Sequence, residues 1–336
     1  MKNKKLSIDK FRIFAAILVI AIHIYPLSSI NQNLDFIFTH IICRIGVPFF
    51  LMITGYFVLP KALKDKEQLI KYTKKIIKIY VICIILYLPI NIYAGKLEGM
   101  TILKALQEIL INGTFYHLWY FPALILGIWI VYFIIAKINS KKIWIIFGAL
   151  YTIGLLGDSY YGLSEGVGIV KSFYDGVFSI CKYTRNGLFF APIFIYLGYN
   201  FNNLKLKIGN KTNIALVIVS LILMIIEGSI LHKYNLQKHD SMYIMLVPLM
   251  IVIFNIVINL KGKENKTLRN MATTIYIIHP LFIIIIRGIA KIVHLENLMI
   301  YNSIINYILV ATCSIMFSLV LEKVKQMYIK KLERNE

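Results

Sequence analysis

The chain has 336 residues, of which 59% are hydrophobic, and its formal net charge is +21. A soluble domain is about 45–50% apolar, so this composition, with a mean hydropathy of +0.72, excludes an ordinary soluble protein. The basic residues form short clusters between long apolar runs. This layout indicates anionic lipid headgroups as the counter-charge and argues against nucleic acid as a partner.

Apolar runs of about 20 residues match the thickness of the hydrocarbon core of a bilayer. We predict an all-α fold, a polytopic membrane helix bundle of about ten transmembrane helices, forming a single transmembrane domain over residues 1–336 with no soluble domain. The first of these helices is expected to be retained as a span, without cleavage. The predicted spans are 11–29, 36–58, 76–94, 115–136, 143–157, 186–201, 214–232, 241–260, 270–292 and 301–321.

Lysine and arginine crowd alternate loops. With a cytoplasmic N-terminus, 27 of the 37 Lys and Arg residues fall on the inner side and 6 on the outer side. Because Lys and Arg accumulate in cytoplasmic loops, both termini are predicted to be cytoplasmic. We therefore expect a multi-pass protein of the cell membrane, with the lipid bilayer as its first partner.

Arg12 and His23 lie three helical turns apart on one face of the first span, with His23 about 16 Å deeper than Arg12. Charged groups inside a bilayer are costly, so those that remain often face a cavity and carry a function. One interpretation is a basic anchor at the mouth of a cavity and a proton acceptor inside it. The other is that Arg12 reaches lipid phosphate and His23 bonds a neighbouring helix.

A lysine stripe precedes the third span, where Lys71, Lys74, Lys75 and Lys78 share one helix face. Such a stripe could bind the phosphates of a coenzyme. An ordinary cluster of positive charge that contacts lipid headgroups explains it equally well.

Two further segments place polar groups near the predicted outer side. Arg44, one turn before PFFLMITGYF, needs a carboxylate or an anionic ligand; within that string, Pro48 and Gly55 indicate a kink or a close approach of two helices. His117 and Trp119, in HLWYFPALILG, form either an ordinary aromatic belt or a pocket at the outer mouth.

Acidic and basic residues are mixed near the predicted outer half of the membrane. Both signs together suit internal ion pairs, and they equally suit a bound zwitterion such as an amino acid. Glu227, within IIEGSILH, is a carboxylate in an apolar run and needs a cation or a proton. The candidate substrate-binding residues of this set are Asp158, Arg185, Glu227, His239 and Asp240.

His279 lies in TIYIIHPLF, on the predicted inner half, as a partner to the site on the first span. Pro280 follows it and removes a hydrogen bond from the helix, which can expose carbonyl groups to a cavity. No serine-nucleophile turn, glycine-rich phosphate loop or metal-ligand spacing occurs in the sequence, so we expect no metal ion and no permanently bound cofactor.

Several motifs, in their order, resemble the acyltransferase-3 family of membrane proteins, which O-acylate envelope glycans. They are the Arg12–His23 spacing, PFFLMITGYF, HLWYFPALI, TRNGLFFAPIFIYLG and YIIHPLF. The resemblance implies that His23 is the catalytic base and that Arg12 handles the acyl donor, acetyl-CoA or another acyl-CoA. The family's Arg-x-x-Arg signature is replaced here by Lys75 and Lys78, which keep the charge but lose the bidentate geometry of arginine.

Longer strings resemble one branch of the family, the membrane part of the membrane-bound serine racemases of vancomycin-resistance operons. They are NGTFYHLWYFPALILG, LYTIGLLGDSYYGL, TRNGLFF and KHDSMY. In that branch the membrane part is thought to supply L-serine to a racemase domain that uses pyridoxal phosphate. We find no resemblance to that racemase domain in this sequence. We therefore expect that the chain does not racemise serine alone and that a separate serine/alanine racemase is its partner.

Three functions follow as hypotheses. The first is binding or import of L-serine for D-serine synthesis. The second is transfer of an acyl group, other than an amino-acyl group, from a cytoplasmic thioester to the hydroxyl of an envelope glycan. The third is a scaffold that tethers a racemase to the membrane. We favour the first, because the strings shared with the racemase branch are longer and more specific.

Overall fold

The structure is a computed structural model that describes residues 6–138, 140–204, 206, 208–260, 262 and 264–333. Those residues form helices and connecting turns, and no β-strand occurs among them, so the predicted all-α class is confirmed. The α-helices are α1 Leu6–Ile24, α2 Gln32–Asp35, α3 Gly46–Ala62, α4 Lys66–Tyr93, α5 Ile102–Gln107, α6 Tyr120–Lys137, α7 Ser140–Leu156, α8 Tyr161–Glu165, α9 Gly168–Ile180, α10 Ala191–Asn200, α11 Asn210–Lys233, α12 Leu246–Asn259, α13 Lys266–Ile292 and α14 Ser303–Leu332.

Polar side chains define where the long helices begin. The Asp65 carboxylate accepts a hydrogen bond from the backbone N–H of Glu67 at the start of α4. Asn265 and Asn302 act in the same way at the starts of α13 and α14. Each cap satisfies a backbone donor that has no partner within the helix itself.

Within the residues that the structure describes, six helical segments are long and apolar enough to cross a membrane. They are Gln32–Ala62, Lys66–Tyr93, Tyr120–Lys137, Asn210–Lys233, Lys266–Ile292 and Ser303–Leu332. The first of these continues through a π-helix and a 3₁₀-helix before it becomes α3. Since α7, α10 and α12 have 17, 10 and 14 residues, the count of ten spans stays a prediction, as do the single domain and the orientation of the termini.

The described residues divide into two compact units. The first unit lies within the ranges Met1–Val47, Gly209–Leu221 and Leu249–Glu336. In it α1 packs along α13, and α13 packs along α14. Ser303, at the start of α14, donates its hydroxyl to the carbonyl of Pro26 at 2.7 Å, which fixes the turn that follows α1.

The second unit comprises the ranges Pro48–Ile208 and Ile222–Pro248. Here α3 crosses α10 with the two backbones in contact. A Cβ on Gly55 would lie 1.8 Å from the carbonyl oxygen of Ile195, and a Cβ on Gly198 would lie 1.9 Å from that of Met52. Both glycines are therefore required by the crossing, and the close approach predicted at Gly55 is confirmed.

The long segment predicted to be an outer loop, 158–184, contains the short helices α8 and α9. The carbonyl of Ile153 accepts a hydrogen bond at 2.6 Å from Tyr174, on α9. The segment thus packs on the end of α7.

Candidate functional site

In the first unit, α1 and α13 bring His23 and His279 together. The ring centroids lie 5.4 Å apart and the ring planes differ by 19°. His279 is fully buried, whereas His23 is half-buried. Nδ1 of His279 lies 2.8 Å from the carbonyl oxygen of Tyr276. Because a carbonyl oxygen only accepts, Nδ1 carries a proton, which it donates to Tyr276.

Arg12 lies within a charge cluster at the start of α1. Its guanidinium contacts the Asp9 carboxylate at 3.0 Å, and Asp9 is 2% exposed. Arg269 lies 3.5 Å from the same carboxylate oxygen and also pairs with Glu264. Sequence reasoning missed Asp9, although the i, i+3 spacing of Asp9 and Arg12 on a helix is a recognisable signal of such a pair.

Arg44 lies in the 3₁₀ segment that precedes α3. Its Nε donates to the carbonyl of His40 at 3.4 Å. The ring of His40 is nearly parallel to those of Tyr25 and Phe36, at centroid distances of 5.4 and 5.2 Å. His40 belongs to the π-helix Phe36–Ile41. π-Helical turns often occur at functional sites, so His40 joins the candidate residues although its sequence context gave no signal.

In the second unit, Asp158 follows α7 and is fully buried. Its Oδ1 accepts hydrogen bonds from the backbone N–H groups of Ser241 and Met242, at 2.6 and 3.0 Å, and from the Ser159 hydroxyl at 3.0 Å. Its Oδ2 is also buried and makes no hydrogen bond within the part of the chain that the structure describes. One carboxylate oxygen of Asp158 thus holds the loop of Ser241 and Met242, and the other remains available as a hydrogen-bond acceptor.

Burial raises the pKa of Asp158 to about 6, an effect that the Ser241 hydrogen bond and the positive charge of Arg185 partly offset. Burial likewise lowers the pKa of His239 to about 4, and the charges of Arg185 and Lys238 lower it further. The negative charge of Asp240 opposes the fall at His239 and adds to the rise at Asp158. At neutral pH this cluster therefore holds an ionised aspartate beside a neutral histidine.

Arg185 links the aromatic residues of the site to the Asp158 loop. Its guanidinium carbon lies 4.1 Å from the ring centre of Tyr183 and 5.2 Å from that of Trp119. One guanidinium nitrogen donates to the Ser241 hydroxyl at 2.7 Å. The ring of His239 lies 4.5 Å from that of Tyr183. Arg185, Trp119, His239 and Asp158 therefore belong to one cluster.

Glu227, on α11, bonds to groups other than a side-chain cation. Tyr160 donates its hydroxyl to Oε1 at 2.8 Å, and the backbone N–H groups of Ile244 and Met245 donate at 2.6 and 2.9 Å. The sequence suggested a cation or a proton for this carboxylate. These donors satisfy the Glu227 carboxylate, which thereby holds the backbone of Ile244 and Met245 next to the loop that Asp158 binds.

The remaining candidates of the second unit lie in other surroundings. His117 is 1% exposed and packs against the rings of Tyr87, Phe115 and Tyr116. Gly113, four residues earlier, has a φ of +82°, and a Cβ there would lie 2.3 Å from the backbone nitrogen of Trp119, so this position requires glycine.

Lys75 and Lys78 are exposed on α4. That position suits a phosphate ligand and a lipid headgroup equally, so both interpretations of the lysine stripe stay open.

Three groups of candidate residues result: the histidine pair and the Asp9–Arg12 cluster in the first unit, and the Asp158–Arg185 cluster in the second. Ser241 and Tyr183 were missed in the Asp158–Arg185 cluster. Ser241 lies within the string KHDSMY, and Tyr183 directly precedes TRNGLFF, so their proximity to chosen residues was the available signal.

The chain is similar to known proteins along most of its length. The family model described as "Acyltransferase domain", of acyltransferase-3 type, matches residues 5–323. Two curated proteins named "Amino-acid racemase" from Enterococcus faecalis are each 37% identical, over 95% and 97% of this chain and 45% and 47% of their own length. A "Serine/alanine racemase" from Enterococcus gallinarum is 33% identical over 94% of this chain and 45% of its own.

The chain thus spans about half the length of the curated relatives it matches. No solved structure matches it. The predicted resemblance to the family and to the membrane-bound racemases is confirmed, and a protein of the membrane follows from the family and the apolar helices together. The chain belongs to the acyltransferase-3 family of membrane proteins.

Proposed function

We propose that this protein binds L-serine and imports it across the cell membrane for a separate serine racemase, as part of the synthesis of D-serine-ended cell-wall precursors in vancomycin resistance. The observation that carries the proposal is the shared contact of Asp158 and Arg185 with Ser241. An amino acid carries an ammonium and a carboxylate a few ångströms apart, so its site needs one group of each sign at similar spacing.

The ammonium of the substrate is assigned to Asp158. The Oδ1 atom is occupied by backbone donors, so Oδ2 is the atom that would accept a bond from the ligand. Because its surroundings are buried, a charge-assisted hydrogen bond there is stronger than one in water. The ammonium would in turn favour the ionised carboxylate.

The carboxylate of the substrate is assigned to Arg185. A guanidinium binds a carboxylate through two parallel hydrogen bonds when its plane is held in place. Tyr183 and Trp119 hold the plane here. His239, neutral at pH 7 and packed on Tyr183, adds no competing charge. The names of the racemase relatives, which refer to serine, alanine and amino acids, agree with a zwitterionic ligand with a small side chain.

Uptake of radiolabelled L-serine into proteoliposomes tests this function. The protein should raise uptake above that of protein-free liposomes. Asp158→Asn should abolish the increase, because the amide keeps an acceptor for the Ser241 and Met242 N–H groups but loses the charge. Asp175→Asn is the matched control, since Asp175 is exposed and pairs only with Lys171 among the ion pairs of the described residues. Uptake no greater than in empty liposomes would refute the proposal.

The histidine pair supports a second function, acyl transfer from an acyl-CoA to a hydroxyl of an envelope glycan. Its basis is the pairing of His23 with His279 in a family whose model is described as an acyltransferase domain. His23 would take the proton of the acceptor hydroxyl as general base. The oxygen then attacks the thioester carbonyl, a C–O bond forms, the C–S bond breaks, and the thiolate of coenzyme A leaves and is protonated.

Within the first unit, the donor phosphates are assigned to Arg12. Arg12 is already compensated by Asp9, so it would bind a phosphate only by sharing its guanidinium between two anions. Release of coenzyme A, together with acetylation of envelope glycans in cells that express the protein, tests this function. His23→Ala should abolish both signals. Unchanged glycan acetylation in that variant would refute acyl transfer.

A further inference from the structure

The sequence His279-Pro280 occurs inside α13, which runs from Lys266 to Ile292 without interruption. In an α-helix each carbonyl accepts from the N–H four residues later. For the carbonyl of Tyr276 that later residue is Pro280, which has no N–H. A different donor must therefore serve this carbonyl if it is to be satisfied inside a membrane protein.

The side chain of His279 supplies the donor. Nδ1 lies 2.8 Å from the Tyr276 carbonyl oxygen, and a second, longer contact of 3.3 Å reaches the carbonyl of Ile275. Both oxygens only accept, which fixes the proton on Nδ1. Had residue 280 carried an N–H, it would compete with Nδ1 for the Tyr276 carbonyl.

The orientation of this ring also sets its relation to α1. His279 is completely buried and nearly parallel to His23, with 5.4 Å between ring centroids. With Nδ1 directed at its own helix, the basic nitrogen Nε2 points away from the Tyr276 carbonyl.

We propose that Pro280 is a positioning residue, which locks His279 in the Nδ1–H tautomer and so makes Nε2 its proton-accepting nitrogen beside His23. The proposal rests on the acyl-transfer function for its catalytic meaning. The tautomer itself is a property of the resting protein and is measurable without any substrate.

The experiment is nuclear magnetic resonance of the full chain in lipid nanodiscs with ¹⁵N-labelled histidine rings. The signals of His279 are assigned by their loss in His279→Asn. In the unaltered protein its proton should reside on Nδ1, and Pro280→Ala should shift a measurable population to the Nε2–H tautomer. Pro89→Ala is the matched control, because Pro89 also lies inside a helix but follows a leucine; it should leave the His279 signals unchanged.

A proton on Nε2 in the unaltered protein, or His279 signals that Pro280→Ala leaves as they are, would overturn the proposal. If Pro280→Ala does not fold, a ¹⁵N–¹³C distance measurement between His279 Nδ1 and the Tyr276 carbonyl decides instead. A short distance supports the lock, and a distance beyond hydrogen-bond range overturns it. Expected tautomers together with normal glycan acetylation in His23→Ala would refute acyl transfer alone and leave the lock intact.

Discussion

His279 stacks on His23, with 5.4 Å between the ring centroids, although the two residues lie near opposite ends of the chain. The pair joins α1 to α13, and both side chains are candidates for the proposed acyl transfer. Any change to one ring alters the surroundings of the other. Substitutions that keep only one of the two polar groups of the His279 ring, the Nδ1 donor or the group at Nε2, can therefore separate packing from proton transfer.

We expect His279→Asn and His279→Gln to differ in stability and to agree in activity. The asparagine amide lies near the position of Nδ1 and can still donate to Tyr276, so this variant should melt close to the unaltered protein. The longer glutamine loses that donor and should melt lower. Both lack the Nε2 acceptor beside the proposed general base His23, so glycan acetylation should fall, by no more than the factor of about 10²–10⁴ expected for loss of the general base itself. Full acetylation with His279→Asn would show that the residue only caps the helix carbonyl.

The pKa of Asp158 predicts how L-serine binding depends on pH. Above pH 6 the carboxylate is ionised and can bind the ammonium; below pH 6 it is protonated and the attraction is lost. We expect the affinity, measured by calorimetry, to fall by up to about tenfold for each pH unit below 6. In Asp158→Asn the residual affinity should be independent of pH between 5 and 7.

The same raised pKa affects stability in the opposite direction. A carboxyl whose pKa is higher in the folded protein stabilises the fold most at low pH, and that stabilisation is lost as the pH rises through 6. His239 has a lowered pKa, so its contribution to stability is instead lost as the pH falls from 6.5 towards 4.

For L-serine binding, an affinity that rises as the pH falls below 6 would contradict the assignment of the ammonium to Asp158.

Arg185→Gln should weaken L-serine uptake, with the effect on KM rather than on maximal rate. The change removes a charge-assisted hydrogen bond worth about 1.5–3 kcal/mol, or about 10–100-fold in affinity. Lys182→Gln is the control, since Lys182 lies in the same loop and pairs with Glu108 at the surface. It should change KM by less than about twofold. Equal effects of the two changes would indicate that only the net charge of the loop matters.

Gly55→Ala and Gly198→Ala should each disrupt the crossing of α3 and α10. The new methyl group would meet backbone atoms at less than 2 Å, so the helices must separate, at a cost of about 1–3 kcal/mol or more. Gly148→Ala, at a helical position with open space around the glycine, should be neutral or slightly stabilising. Thermal unfolding in detergent measures all three. A normal melting temperature for Gly55→Ala would show that the backbones do not touch.

The apolar runs predicted the helical class, and the spacing of Arg12 and His23 correctly placed both on one helix. Each of these two residues has a partner in the structure. Asp9 compensates Arg12 from within the same helix, but His279 meets His23 only after α13 packs on α1. His279 was expected from the sequence as a partner to the site on the first span, whereas the stacking of its ring on His23 depends on how α13 packs on α1.

Glu227 shows a second reason why part of the site could not be predicted from the sequence. A carboxylate in an apolar run looks like half of an ion pair, because the sequence shows side chains and not the backbone donors that a loop exposes. Here the segment before α12 provides such donors. The mixed charges near Asp158 and Arg185 did suggest a common cluster, since the relevant strings all fall at one predicted side of the membrane.

Asp158 and Glu227 hold the same short segment, one through the N–H groups of residues 241 and 242 and the other through those of 244 and 245. Hydrogen bonds at these four backbone positions tie the segment to both acids. If a ligand pulls on the Asp158 carboxylate, the strain passes directly to the stretch that carries Glu227. A transport step would then displace these parts as one rigid body, and a crosslink between them would leave turnover unimpaired.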